Sequence, residues 1–358
     1  MCNIRTILAF MSIIVILIPT VHFLIRAHGD VTLIIENLQY TLPFFTAALR
    51  IIIFWWNKEA LSSVMDMIAD DWIKEKTSWE RIKMITRAQT ARTIATFLYS
   101  MMGTSFFIAM IMPICGISMY VTNGTNSEKQ LPFQTLYYTY DTNKSPQYEL
   151  TFLSQTISTL FGIVTNMGID NFLNLLVFHI CGQLDILKNR ITHLDQFTNY
   201  AHTLKNCVID HIRIIRAITV IEDAYNLMLL ALLLSFGIIF AFYGFLILSI
   251  LEDETNLSIF QLMFRVLVML TISGHMCAYC VVGDILVSQC NGIHYAAYSN
   301  KWYTVKPKDA RNLISILIRT NEPIYLTAGK MFPMTMATFS NLIKTSAGYI
   351  SVLLTARH

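Results

Sequence analysis

The sequence predicts an all-α polytopic membrane protein with seven transmembrane helices. Hydrophobic residues make up 54% of the 358 residues and charged residues only 14%, and the mean hydropathy is +0.52. A soluble domain usually carries about 25% charged residues. Seven segments are long and apolar enough to cross a bilayer, which takes roughly 20 residues. We therefore expect one seven-transmembrane domain over residues 1–358.

The seven predicted spans cover most of the apolar sequence and occupy about residues 7–24, 31–55, 94–121, 153–180, 228–251, 260–282 and 336–355. The first span contains Pro19, which neighbouring helices accommodate in a membrane. A signal peptide is the alternative for this segment, because Arg5 precedes an apolar run, but the following LIRAHGD lacks a small-x-small cleavage site. Between the spans, residues 57–93 are expected to be helical, and ARNLISILIR is expected to form a helix that ends before Pro323.

Charge and glycosylation sequons predict the orientation. Lys and Arg are concentrated in the connections 57–93, 181–226 and 283–334, whereas the other connections hold only Arg26, Lys129 and Lys144. The positive-inside rule places the basic connections in the cytoplasm. The three sequons fall in the other connections, at Asn123, Asn143 and Asn256. The N-terminus is thus expected inside and the C-terminus outside.

Composition and motifs argue against an enzyme. No HExxH or GxSxG motif occurs, and His179 and His275 are interpreted as satisfied polar residues rather than ligands. Cys277 and Cys280 form a CxxC in an apolar run with no second pair nearby, which favours helix packing over metal binding. The net charge of +3 is spread over the connections, so nucleic acid is not expected as a partner. We expect no cofactor, no metal and no catalytic residue.

The fourth predicted span carries polar residues at every fourth position. On a helix this row faces one side, and unpaired polar groups are costly in hydrocarbon, so the row should face the bundle interior. A carboxylate in the row needs a partner or water, which singles out Asp170. Ligand binding and internal hydrogen bonding both remain open for this row, whose members are Ser154, Ser158, Gly162, Asn166, Asp170 and Asn174.

The seventh predicted span is unusually polar. Small and hydrophilic residues recur three or four apart and form one stripe on a helix, comprising Ser340, Lys344, Gly348, Ser351 and Thr355. Such a stripe suits either a water-filled pore or close helix packing. Lys344 favours a cavity or a partner, because ionisable residues inside spans usually face one.

Several segments resemble the insect odorant receptors, especially those of ants, bees and wasps. TAGK, FP and KTSAGYISVL at the end of the chain are similar to the last helix of that family. The resemblance continues upstream in the same order through ENLQYTLPFF, HICGQLDILKNRI, HIRIIRAITVIEDAY and KWY, and covers nearly the whole chain.

The resemblance implies a ligand-gated cation channel subunit in the plasma membrane of the olfactory neuron dendrite. It would form a heterotetramer with the odorant receptor co-receptor, amid membrane lipid, around a pore lined by the last helix. The gate would be at Val352 and Ala356. Gly348 and Lys344 would lie deeper in the pore, and the alternative position for Lys344 is an interface between subunits. The odorant pocket of the family, which takes small volatile molecules, corresponds here to Tyr40, Phe44, Phe106, Met110, Phe161, Thr165 and Val268.

Three related identities are disfavoured. The co-receptor has a long insertion between its fourth and fifth spans, but here that connection is only residues 181–226. Gustatory receptors typically carry TY-x5-QF in the last helix, which this sequence lacks. A G-protein-coupled chemoreceptor would have DRY after the third span and NPxxY in the seventh, and neither is present. The gustatory-type channel remains the nearer alternative.

Overall fold

Nine α-helices and one two-stranded hairpin form the part of the chain that the computed structural model describes. That part comprises residues 2–27, 31–117, 131–137, 142, 144–197, 199–252, 259–300, 303 and 307–357. The helices, numbered in chain order, are α1 Cys2–Arg26, α2 Val31–Trp56, α3 Lys58–Ile73, α4 Ser78–Ile114, α5 Gln147–Thr192, α6 Tyr200–Glu252, α7 Ile259–Ser299, α8 Pro307–Thr320 and α9 Met336–Arg357. The antiparallel strands β1 Thr327–Ala328 and β2 Phe332–Pro333 precede α9.

Six of these helices, α1, α2, α4, α5, α6 and α7, are long and apolar enough to cross a membrane. The more polar α9 has 22 residues, enough for a seventh span. The arrangement agrees with the predicted all-α, seven-span fold. One predicted boundary was wrong, since the third span was placed to Val121 but α4 ends at Ile114. Gly116 follows with φ of +75°, a left-handed conformation that ends the helix.

Three helices are much longer than a bilayer is thick. α5, α6 and α7 contain 46, 53 and 41 residues, which correspond to roughly 70, 80 and 60 Å at 1.5 Å per residue. The hydrocarbon core is only about 30 Å thick. The helices therefore continue past the predicted spans, where they pack with α3 and α8. We call this part, formed by the described residues within 57–93, 181–226 and 283–334, the basic end.

The largest hydrophobic cluster runs along α5, α6 and α7 from the middle of the bundle into the basic end. Leu176 and Met228 are fully buried in it, and the buried Tyr225 hydroxyl donates to the backbone oxygen of Ile169 at 3.1 Å. The polar row of α5 faces inward as predicted, because Ser158, Gly162, Asp170 and Asn174 are all buried.

The hairpin fixes the beginning of α9 to the rest of the bundle. The backbone N–H of Gly329 donates to the backbone oxygen of Asn226 on α6 at 2.8 Å. Gly329 and Lys330 both have positive φ, at 61° and 58°, which closes the tight turn between the strands. The Lys330 ammonium donates to Asp223 at 2.8 Å. The hairpin thus holds α9 against α6 before the helix begins.

The contact between α6 and α9 depends on small residues. A Cβ atom placed on Gly244 would lie 2.2 Å from Cδ1 of Ile350, so the isoleucine occupies the space that the glycine leaves open. One face of α9, including Leu342, Ile343 and Ile350, packs against the large cluster. On the opposite face, Ser340, Lys344 and Gly348 are exposed.

Candidate functional site

A cavity of about 170 Å³ lies in the middle of the bundle, between α2, α4, α5, α6 and α7. Most of its wall is apolar and is formed by Pro43, Met102, Met167, Leu232, Phe236, Ile239, Ile272 and Met276. The polar remainder consists of Thr46, Arg50, Asn166, Asp170, Ser235, His275 and Tyr279. An apolar cavity with a few convergent polar groups is typical of a small-molecule site.

An ion pair between α2 and α5 forms part of the polar wall. The Arg50 guanidinium donates from Nη2 to the Asp170 carboxylate and from Nη1 to Oδ1 of Asn166 at 3.0 Å. The Tyr279 hydroxyl of α7 also donates to Asp170 and accepts from Nη2 of Arg50 at 3.1 Å. Arg50 and Asp170 are only 3% and 4% exposed. The prediction that Asp170 needs a partner is confirmed.

Arg50 was not predicted as a site residue, although the sequence carries a signal for it. An arginine inside a predicted span is costly unless it is paired, so its position between Leu49 and Ile51 marks a buried interaction. The same argument finds Arg265 on α7. Its guanidinium donates from Nη2 to the fully buried carboxylate of Glu36 on α2 at 3.1 Å.

Four of the seven predicted ligand-contacting residues lie together, but not on the cavity wall. Tyr40 and Phe44 of α2 pack with Phe106 and Met110 of α4. Phe44 directly follows the cavity residue Pro43, and Tyr40 and Phe106 lie about one turn from cavity residues of their helices. Phe133 closes this group, with its ring edge-on to Tyr40 at 5.2 Å and to Phe44 at 5.6 Å between centroids. We call these five residues the aromatic cluster.

The other three predicted residues lie apart from both the cavity and the aromatic cluster. The side chain of Phe161 is exposed, and the Thr165 hydroxyl donates to the backbone oxygen of Phe161 at 2.7 Å. Val268 packs against Met112 and Phe264. The seven residues therefore do not form one continuous surface in the folded chain.

The exposed face of α9 carries the predicted stripe. Ser340, Lys344, Gly348 and Ser351 are all exposed, and Val352 is 65% exposed. Ala356 belongs to α9, but its side chain lies outside the described residues. A helix that packs through one face and leaves a polar face uncovered has room for a second chain or for water on that face.

A buried carboxylate joins three helices at the basic end. Asp71 of α3 accepts from Nη1 of Arg213 at 2.6 Å and lies 3.1 Å from Nε2 of His179. Burial opposes ionisation of Asp71, but the hydrogen bonds from His179 and Arg213 outweigh it and hold the pKa of Asp71 below its ordinary value. His179 is thus a satisfied polar residue, as predicted. The contacts tie α3 to α5 and α6.

A larger cleft of about 590 Å³ lies at the basic end beside Lys76, Glu80 and Arg190. Its charged groups already pair with each other, since Arg190 donates to Glu80 at 2.8 Å and to Asp210 at 3.3 Å. A cleft with charged groups in its wall suits an apolar ligand less well than the central cavity does. The predicted glycosylation sites Asn123, Asn143 and Asn256 lie outside the described residues.

The fold is that of a mainly helical, polytopic membrane protein. The sequence profile of the family described as 7tm Odorant receptor matches residues 30–347, and the chain belongs to that family. It is 22% identical to odorant receptor 10 of Aedes albopictus over 96% of this chain and 91% of that protein. It is 20% identical to odorant receptor 9a of Drosophila melanogaster over 99% of this chain and 90% of the relative.

The fold is also that of a solved insect olfactory receptor. The chain resembles OR5 from Machilis hrabei in complex with eugenol, with a TM-score of 0.84 and 16% identity over 98% of this chain and 88% of that one. The family match supports the odorant receptor prediction over the gustatory-type and G-protein-coupled alternatives. It also agrees with an odorant receptor that is not the co-receptor.

Proposed function

We propose that this chain is the odorant-specific subunit of a ligand-gated cation channel. It binds a small volatile molecule and assembles with the odorant receptor co-receptor as a heterotetramer. The observation that carries the proposal is the uncovered polar face of α9, which includes Lys344 and Gly348. A helix of this kind suits a pore or a subunit interface better than it suits lipid.

The central cavity is the proposed ligand site, and the aromatic cluster is proposed to lie next to it, mainly on two of the same helices, α2 and α4. Membership in the odorant receptor family and the mainly apolar lining of the cavity support this assignment. Tyr40, Phe44, Phe106 and Met110 then shape the space above the cavity. The other three predicted residues lie on helices that line the cavity, namely Phe161 and Thr165 on α5 and Val268 on α7.

The gate is proposed at Val352 and Ala356, near the end of α9. An apolar constriction closes a pore by excluding water, and a polar substitution makes it easier to wet. In excised patches without nucleotide, channels with the co-receptor should open to odorant, and Val352→Ser should raise the basal current several-fold and shift the odorant response to lower concentration. Val15→Ser, the same change at an exposed position of α1, should leave both unchanged.

Two results would contradict this proposal in different ways. Odorant currents that require G protein and GTP would exclude the channel function itself. Unchanged basal current and sensitivity with Val352→Ser would remove Val352 from the gate while leaving the channel function in place.

The basic end is proposed to face the cytoplasm, with the N-terminus inside and the C-terminus outside. The distribution of Lys and Arg and the positions of the three sequons support this orientation. The plasma membrane of the olfactory neuron dendrite is the proposed location.

Glycosidase treatment should reveal glycan on Asn123, Asn143 or Asn256, and removal of all three sequons should abolish the shift in mobility. A tag added after His358 should bind antibody on intact cells. A tag within residues 57–93 serves as the control, because it should bind antibody only after permeabilisation. Antibody access to the C-terminal tag only after permeabilisation would overturn the orientation.

A further inference from the structure

We propose that the central cavity selects ligands that donate a hydrogen bond, namely small alcohols and phenols, and that Nε2 of His275 is the acceptor. This inference rests on the proposed function, since it names the ligand class of that site. His275 lies on α7 in the wall of the cavity, and its two ring nitrogens have different contacts.

The contacts of His275 indicate which ring nitrogen carries the hydrogen. Nδ1 lies 2.8 Å from the backbone oxygen of Thr271, and a carbonyl oxygen only accepts, so Nδ1 carries the hydrogen. The neutral ring then has a lone pair on Nε2. The polar atom that Nε2 contacts is the Met167 thioether sulfur at 3.4 Å, which is itself an acceptor and supplies no hydrogen. A thioether sulfur is a weak acceptor, so Nε2 is the less well matched of the two ring nitrogens.

Neighbouring hydroxyl groups in the cavity wall already use their hydrogens elsewhere. The Thr46 hydroxyl donates to the backbone oxygen of Leu42 at 2.8 Å, and the Ser235 hydroxyl donates to that of Ala231 at 2.6 Å. The Tyr279 hydroxyl donates to Asp170. In these contacts the three hydroxyl hydrogens point to oxygens and not to Nε2, so a ligand hydroxyl is a suitable source of the hydrogen for Nε2.

One hydrogen-bond donor in the wall is left over. Nε of Arg50 is buried and has no hydrogen-bond partner among the described residues. A ligand hydroxyl is matched to this wall, because it supplies a hydrogen to His275 and has lone pairs available for a donor such as Arg50. An aldehyde or ether offers lone pairs only, and a hydrocarbon offers neither.

The volume of the cavity limits the rest of the ligand. An apolar cavity of about 150 Å³ holds benzene, and the cavity here is about 170 Å³. The space fits one ring, or an equivalent short chain, and a hydroxyl group. Phe236 and Ile239 of α6 provide the apolar contacts for that ring.

The test measures binding of three probes of nearly equal size to the purified complex with the co-receptor. Benzyl alcohol donates and accepts, benzaldehyde only accepts, and ethylbenzene does neither. We expect benzyl alcohol to bind about 3- to 10-fold more tightly than ethylbenzene, the usual range for one hydrogen bond between neutral groups, and more tightly than benzaldehyde.

Variants assign the preference to His275. His275→Phe should weaken benzyl alcohol to the level of ethylbenzene and leave ethylbenzene within about twofold. His275→Gln retains an acceptor oxygen and should keep part of the preference. His202→Phe, the same change at an exposed position on α6, should have no effect. Melting curves of each variant confirm that the binding differences come from folded protein.

Three outcomes would overturn the inference: equal affinity for the three probes, a preference for alcohol that survives His275→Phe, or no binding of any probe. The proposed function fails separately. If no volatile compound opens a channel but benzyl alcohol binding still depends on His275, the ligand class stands and the channel function does not.

Discussion

Asp170→Ala is expected to destabilise the folded chain by about 3–5 kcal/mol, the range found when one partner of a buried ion pair is removed. The alanine would leave the Arg50 guanidinium charged, buried and without its carboxylate. The Tyr279 hydroxyl would lose the same partner. The melting temperature of the detergent-solubilised protein measures the effect. It is read from the loss of the monodisperse peak in size-exclusion chromatography as the sample is heated.

The double variant Arg50→Met, Asp170→Leu is the matched comparison. Replacement of both charges with apolar side chains of similar size is often close to neutral, because no buried charge remains. We expect the double variant to recover most of the lost stability while losing hydrogen bonds to Asn166 and Tyr279. Equal melting temperatures for the single and double variants would show that the loss comes from packing and not from the unpaired charge.

Gly283→Ala is expected to displace the beginning of α9. A Cβ atom on Gly283 would lie 2.1 Å from the backbone oxygen of Met334, and a backbone atom cannot move aside as a flexible side chain can. Met334 is held from the other side, since its N–H donates to the backbone oxygen of Leu326 at 2.8 Å. Overpacking of this kind costs about 1–3 kcal/mol and occasionally more.

The effect of Gly283→Ala should appear in gating as well as in stability. Asp284 accepts from the first N–H of α9, on Met336, at 2.9 Å, and displacement of the segment would break this contact. We expect a lower melting temperature and loss of most of the odorant current. Gly103→Ala is the control, because nothing lies within 4 Å of a Cβ atom there. If the two variants behaved alike, α9 would not depend on this close approach.

Hydropathy located most of the apolar helices, because apolar segments coincide with helices, as residues 31–55 do within α2 and 228–251 do within α6. It did not predict that α5, α6 and α7 continue beyond the membrane. In the parts beyond the spans, charged residues are mixed with apolar ones. The mean hydropathy over a window is therefore low there, although the residues are helical. The sequence TSWE at Thr77 does carry a helix-start signal, and Thr77 and Glu80 form a capping box at the start of α4.

The site was less predictable than the fold. The row on α5 singled out Asp170 from its spacing alone, and its inward position follows from the cost of an unpaired carboxylate in hydrocarbon. Tyr40, Phe44, Phe106 and Met110 were grouped by resemblance, and they do pack together. The cavity itself depends on how five helices cross. Helix crossing is set by packing between residues far apart in the chain, which periodicity within one segment does not contain.

The hairpin before α9 fixes one end of that helix and so acts as a pivot, whereas the rest of the helix is held by side-chain packing such as that of Ile350 against Gly244. Gly329 and Lys330 fasten one end to α6, while the end that contains Val352 lies almost the full length of the helix away. A helix of 22 residues is roughly 33 Å long at 1.5 Å per residue. A tilt of about 5° around the pivot therefore moves the far end by roughly 3 Å and the hairpin end hardly at all. In the proposed channel, a small rearrangement around the cavity would therefore displace α9 most at the proposed gate, Val352.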